Sequence, residues 1–260
     1  MKSSHIQLSK GHMKPFSSIV DGDCMTFLLD VNSKNISLEN IKFVDTTKGF
    51  YDDNIEDEMN KQYESKFFSL RDRLINVIEK KTKTEIKFGK KEQNIILDYL
   101  NLAALRSKAT IDLINQKSIA AFFLGDFSNN DLMNAKLAGA LSERIFSDYS
   151  ALIVKNDTEI NFVLPANSYY YSKKIHEEFI ETEFNLFIPI SPKLSYMLLL
   201  KSDFDAYIKK RGFTYLVMNN WRDIEYLNER AYRSEVYFNK KFIVSKSRQE
   251  LEKLLLVQIV

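Results

Sequence analysis

Apolar residues recur every three or four positions at Ile55, Met59, Tyr63, Phe67, Leu70, Leu74 and Ile78. That spacing places them on one face of a helix. Asp53 or Asn54 can cap its start, and Glu56, Asp57 and Glu58 suit the positive end of the helix dipole. The segment Lys80–Lys91 breaks the pattern with six lysines and predicts a solvated loop. A second helix is predicted from about Lys91 to Leu124, with a break near Ser107. A third follows Asn129–Asn130 and runs to about Val154, with Leu132, Leu141, Ile145, Tyr149 and Leu152 as its core stripe.

On either side the period shortens. Cys24–Val31 is strand-like, with turns at Asp21–Asp23 and Asn32–Asn35, and Ile41–Val44 predicts another short strand. After residue 156 come short β-branched or aromatic runs at Ile160–Leu164, Tyr169–Ser172, Leu186–Ile190 and Leu194–Lys201. Asp203–Arg211 reads as a short helix ended by Gly212, and Phe213–Met218 as a strand. Asn220–Ser234 reads as helical and Tyr237–Ser245 as extended, and Ser247–Glu250 is a capping box opening a final helix.

Runs of one type followed by runs of another predict an α+β fold. The expected architecture is a central long-helix bundle with an antiparallel sheet formed from N-terminal and C-terminal segments. No repeat or linker divides the chain, so residues 1–260 read as a single domain. It has a β-rich start (1–50), a helical middle (51–155) and a β-rich end with helices (156–260).

Composition narrows the chemistry. Of the 260 residues 45% are hydrophobic, enough for a sizeable core and against disorder of the whole chain. The net charge of +2 is too small for bulk charge to argue nucleic-acid binding. Cys24 is the single cysteine, which excludes an internal disulfide and a cysteine-based zinc site and fits a reducing cytoplasm. There is no signal-peptide pattern after Lys2, and the apolar runs are core-sized, well short of the ~20 residues a membrane span needs. A cytoplasmic protein without a membrane partner or a cofactor is expected.

Standard catalytic signatures are absent: no phosphate-binding glycine loop, no dinucleotide fingerprint, no His-Glu-x-x-His and no Gly-x-Ser-x-Gly elbow. His176 is the one histidine after His12 and has no arginine just before it, so the Arg–His pair of one class of helical ribonucleases does not occur. His5 and His12 are candidates for acid–base work, although their spacing of seven fits no standard metal pattern. Arg106 sits in an apolar helical stretch and needs anionic or carbonyl partners, because it cannot lose its charge. A phosphate or a structural carboxylate would serve. Pro189–Lys193 is a constrained turn that leaves Ser191 and Lys193 for a site. Asn228, Arg230 and Arg233 share a predicted helix. With Lys240, Lys241, Lys246, Arg248 and the interleaved Tyr232, Tyr237 and Phe238 they form a basic–aromatic patch of the kind that holds phosphates and stacked bases. Glu85-Ile-Lys87 lacks the acidic partner of a nuclease motif, and the acidic run Asp52–Glu58 is accounted for by the helix dipole.

Leu8-Ser-Lys-Gly11 followed by Met13-Lys-Pro-Phe16 resembles the opening of a mainly bacterial family known as domain of unknown function 4238. Lys48-Gly-Phe-Tyr51, Leu105-Arg-Ser107, Phe187–Lys193, and Asn228 with Phe242–Ser245 resemble further segments of that family in the same order. The resemblance spans nearly the whole chain through short motifs. Two positions depart from the pattern. His5 lies one residue early, and Ala166 stands where the family often has an acid. The resemblance implies a fold, a length and a setting among mobile or defence genes.

These features lead to two expectations. The first is a nucleic-acid-directed effector, a ribonuclease-type protein of bacterial defence or mobile elements. In it His5, His12 and Arg106 would be catalytic, while Lys10, Lys193, Asn228, Arg230, Arg233 and Lys240 hold RNA or DNA. The second is a non-catalytic interaction protein with a protein or nucleic-acid partner or a second copy of itself, favoured by Ala166 and the scarcity of His and Cys.

Overall fold

The computed structural model describes residues 3–48, 53–79, 88–106, 146–172, 185–211, 215–239 and 241–257. Strands β1 (Ser3–His5) and β5 (Thr46–Lys48) pair as a two-stranded ribbon. A first five-stranded sheet joins the two ends of the chain, as expected. It runs β2 (Ser18–Val20), β3 (Asp23–Asp30), β12 (Phe242–Ser245), β7 (Leu164–Pro165), with β4 (Ile36–Asn40) on the other side of β3. All its pairings are antiparallel. Along one side β3 meets β2 up to Met25 and β12 from Phe27 onward. Thr26 lies at that changeover, its hydroxyl 3.0 Å from the Phe16 carbonyl and 3.1 Å from that of Ser245.

The second sheet is ordered β11 (Tyr215–Met218), β6 (Tyr149–Asn156), β10 (Leu194–Leu200), β9 (Asn185–Ser191), β8 (Tyr170–Ser172). It is antiparallel except for the β11–β6 pair, which is parallel. Its central strands are buried on both faces. Ala151, Ile153, Ile188, Ile190, Tyr196 and Leu198 pack with the apolar stripes of α3 (Ser65–Ile78) and α4 (Lys90–Leu105). Leu152, Val154, Phe187, Met197 and Leu199 face a core shared with α6 (Trp221–Ser234), α7 (Arg248–Leu255) and strands β3 and β12. A smaller core gathers Leu8, Met13, Phe16, Ile41, Val44 and Leu164 beneath the N-terminal segment.

Among the described residues a central bundle of long helices does not form. The stripe of α3 ends against a sheet, and the helices flank sheets as short separate pieces. The expected periodicity over 55–78 does appear as α2 (Asp53–Met59), a π-helical turn Asn60–Glu64, and α3. The expected third helix is corrected more sharply. Its distal part, Tyr149–Asn156, is strand β6, because Ala151-Leu-Ile-Val154 is a continuous apolar run that a sheet buries on both faces. Ile41 and Val44 are core residues of a turn, and β4 precedes them. Glu235–Asn239, expected as partly extended, closes α6 as a π-helical turn. Remaining expectations for 107–145, for 80–87 with Glu85 and Lys87, and for Gly212, His176 and Lys240 lie outside the described residues.

Candidate functional site

Five segments distant in sequence border one cleft of about 540 Å³. Lys14 and Pro15 come from the 3₁₀ turn Lys14–Phe16, which is anchored by fully buried Phe16. Arg71, Asp72, Ile75, Asn76 and Glu79 come from the flank of α3 beside its core stripe. Ser191, Pro192 and Lys193 form the β9–β10 turn. Asn161 and Lys246 complete the lining, the latter from the turn between β12 and α7. Thr26, by bridging Phe16 and Ser245, ties together the two segments that carry Lys14 and Lys246.

Four cations meet two carboxylates here, so the lining is net positive by two charges. Arg71 is 2% exposed and held rigidly. Its Nε and Nη2 donate to Asp72 at 2.8 and 2.7 Å, Nη1 donates to the Gly11 carbonyl at 2.5 Å, and its guanidinium lies 4.7 Å from the Phe68 ring centre. Lys193 donates to the carbonyls of Thr158 (2.5 Å) and Ile160 (3.2 Å). Desolvation lowers its pKa, against the opposing pull of Glu159, Glu250 and Glu79. Ser191 is a turn clamp. Its hydroxyl accepts from the N–H of Lys193 (3.1 Å) and Leu194 (2.9 Å) and donates to Glu79.

Asn228 does not line this cleft but fixes one of its walls. Its amide accepts from Val163 N–H at 3.0 Å and donates to the Asn161 carbonyl at 2.8 Å. Glu250 holds the Asn161 side chain at 3.0 Å. The expected basic patch around Asn228 is largely spent on ion pairs: Arg233 with Glu229, Lys241 with Asp45, and Arg248 with Glu252. Arg230 is half-buried, with its Nε packed away from solvent. Lys246 is the patch residue that reaches the cleft.

His5, Lys10 and Arg106 converge on a second cleft of about 390 Å³, which also holds Glu56, Asp57 and Glu64. Arg106 caps α4 and serves the fold. Its Nη1 donates to Glu64 at 2.6 Å, Nε to the Ile6 carbonyl at 3.0 Å, and Nη2 to the His5 carbonyl. His5 donates Nδ1–H to the Val44 carbonyl at 3.0 Å, which leaves Nε2 as the basic nitrogen. Burial lowers its pKa, the Val44 bond opposes this, and the nearby Arg106 charge lowers it further.

His12 lies in neither cleft. It is fully buried, with Nε2 2.7 Å from the Pro189 carbonyl and Nδ1 2.7 Å from the Tyr99 hydroxyl. A carbonyl can only accept, so Nε2 carries the proton and Nδ1 accepts from Tyr99. Desolvation drives its pKa down to about 3, which keeps the buried ring neutral between its two partners.

No family model, no curated protein and no solved structure matches this chain. The grouping that emerges rests on geometry. Two segments singled out in the sequence, Met13–Phe16 and Phe187–Lys193, border the larger cleft, and Phe242–Ser245 leads directly into Lys246. Arg71 gives no local signal, because in the run Leu70-Arg-Asp-Arg73 it reads as the ordinary charged flank of an amphipathic helix. Ala166 is buried, and the carboxylate reaching its loop belongs to Glu235, which accepts from Asn167 N–H at 3.0 Å. Among the described residues no group of His, Cys, Asp and Glu could hold a metal ion, and no helix is long and apolar enough to cross a membrane.

Proposed function

We propose that the protein binds the phosphate groups of nucleic acid in the larger cleft, and that it acts by binding. The convergence of Lys14, Arg71, Lys193 and Lys246 from separate segments carries this reading. Concentrated positive charge with low-dielectric walls favours phosphate over water and salt ions. Among the described residues no histidine lines the cleft, and its hydroxyl, that of Ser191, is engaged in its own turn. Fluorescence anisotropy with short RNA and DNA tests the reading. Wild type should bind, and the double variant Lys14→Glu/Lys246→Glu should lose most of that affinity while melting at the same temperature. If no strand binds wild type at low salt, the reading is wrong.

A second reading is a ribonuclease-type effector working at the smaller cleft. It is favoured by the placement of His5 beside Lys10, with Nε2 basic. Strand cleavage by wild type that His5→Ala abolishes would support it. Equal cleavage by both proteins would remove it.

A further inference from the structure

We infer that the larger cleft selects a terminal phosphate, the phosphorylated end of a nucleic-acid strand, over the internal phosphodiester backbone. This rests on the proposed binding function and narrows it.

The first argument is charge. Four cations against two carboxylates leave two positive charges in one cleft. An internal phosphodiester carries one negative charge, whereas a phosphomonoester carries about 1.5 to 2 at pH 7 and offers three strong acceptor oxygens. The cleft matches the monoester.

The second is the donor inventory. Arg71 has five N–H donors, of which three are committed to Asp72 and Gly11. Two remain, on a guanidinium already fixed by a neighbouring carboxylate, a carbonyl and an aromatic face. Lys193 commits two of its three. Lys14 and Lys246 are exposed at the cleft rim with no side-chain partner among the described residues. Fixed donors deep in the cleft and free ones at its rim suit a group that enters end-on, because an internal phosphate brings a nucleotide on either side.

The third is what the lining lacks. Its apolar members are Pro15, Ile75 and Pro192, with no aromatic ring among the described residues for a base to stack on. Channels that follow a single strand pair a basic groove with such rings. Along the C-terminal helices Arg233, Arg248 and Lys253 are in ion pairs, Arg230 has its Nε packed away from solvent, and Arg222 lies over the Trp221 ring. Recognition is confined to one phosphate.

The test uses the full chain and one short RNA sequence in four forms: 5′-phosphorylated, 3′-phosphorylated, hydroxyl at both ends, and circular. Inorganic phosphate and a nucleoside monophosphate serve as competitors. One phosphorylated form should bind about tenfold or more tighter than the hydroxyl and circular forms, as charge-assisted bonds to an extra anionic oxygen require. Lys14→Ala and Lys246→Ala should each shrink that ratio with unchanged melting temperature. Equal binding of all four forms would overturn the end preference and leave the binding function standing. A preference that survives in Lys14→Ala/Lys246→Ala would overturn the siting. Binding of nucleoside monophosphate with no binding of any strand would overturn both this inference and the proposed function, and would assign the cleft to a small phosphate ester.

Discussion

Tyr99 donates its hydroxyl hydrogen to Nδ1 of His12, 87 residues away, across 2.7 Å in the protein interior. The ring of Tyr99 stacks on Phe67 with centroids 3.8 Å apart, and Ser168 bonds the phenol oxygen from a third segment. His12 passes the connection on to Pro189. One neutral imidazole thus joins the N-terminal turn, α4 and strand β9, the same segments that place Lys14 and Lys193.

This arrangement sets a pH dependence. The folded pKa of His12 is about 3, below its ordinary value of 6.5. Between those values the unfolded chain binds a proton that the folded chain does not. Stability is therefore full above pH 6.5 and falls as pH drops toward 3, by up to about 1.4 kcal/mol per pH unit from this group. His12→Gln should destabilise the protein at pH 7.5, and the gap to wild type should narrow at pH 5. Urea denaturation at both pH values measures it, and a constant gap would contradict the assignment.

Gly11 should tolerate no side chain. A Cβ there would lie 2.3 Å from the Phe68 ring, while the Gly11 carbonyl must keep accepting from Arg71. Gly11→Ala should cost roughly 1–3 kcal/mol, the usual scale of overpacking. It should also weaken phosphate binding by shifting Arg71. Wild-type melting and affinity in Gly11→Ala would show that the turn moves freely.

Much of this was legible in the chain, and the failures have physical causes. The α3 stripe follows from its helical period, and strands β3, β9 and β10 from short β-branched or aromatic runs bounded by turn residues. β6 misled because a run buried on both sides has no period. For His12 and Arg106 the sequence shows the residue's chemistry and not its partners. Both are held by contacts with residues 87 to 177 positions away or by Glu64, 42 positions away. The cleft was visible only in fragments, as Lys14, Ser191, Lys193 and Lys246. Nothing local reveals that they meet.

Arg106 and Glu64 form a buried pair, with side chains 6% and 12% exposed. Breaking it takes the opposing charge from a buried ion, a loss of about 3–5 kcal/mol in comparable pairs. Glu64→Gln and Arg106→Met should each lower the unfolding midpoint strongly. Nucleic-acid affinity of the remaining folded protein should be unchanged, because neither residue lines the larger cleft. A selective loss of affinity at normal stability would mark Arg106 as a ligand-binding group.

Asn228→Asp keeps the acceptor for Val163 N–H and removes the donor to Asn161. The unsatisfied carbonyl should cost about 1–3 kcal/mol. Because Asn161 lines the cleft, affinity should fall although no cation is removed. Isothermal titration with phosphorylated RNA measures the effect, and unchanged affinity would separate this loop from the site.

The salt dependence of RNA affinity tests the basic cleft most directly. For wild type, log K should fall linearly with log salt concentration, since bound phosphates release counterions. Lys14→Ala and Lys246→Ala should each make the slope shallower, and the double variant should make it shallower still, since fewer cations are left to displace counterions from the bound phosphate. The same slope in wild type and double variant would contradict binding at this cleft.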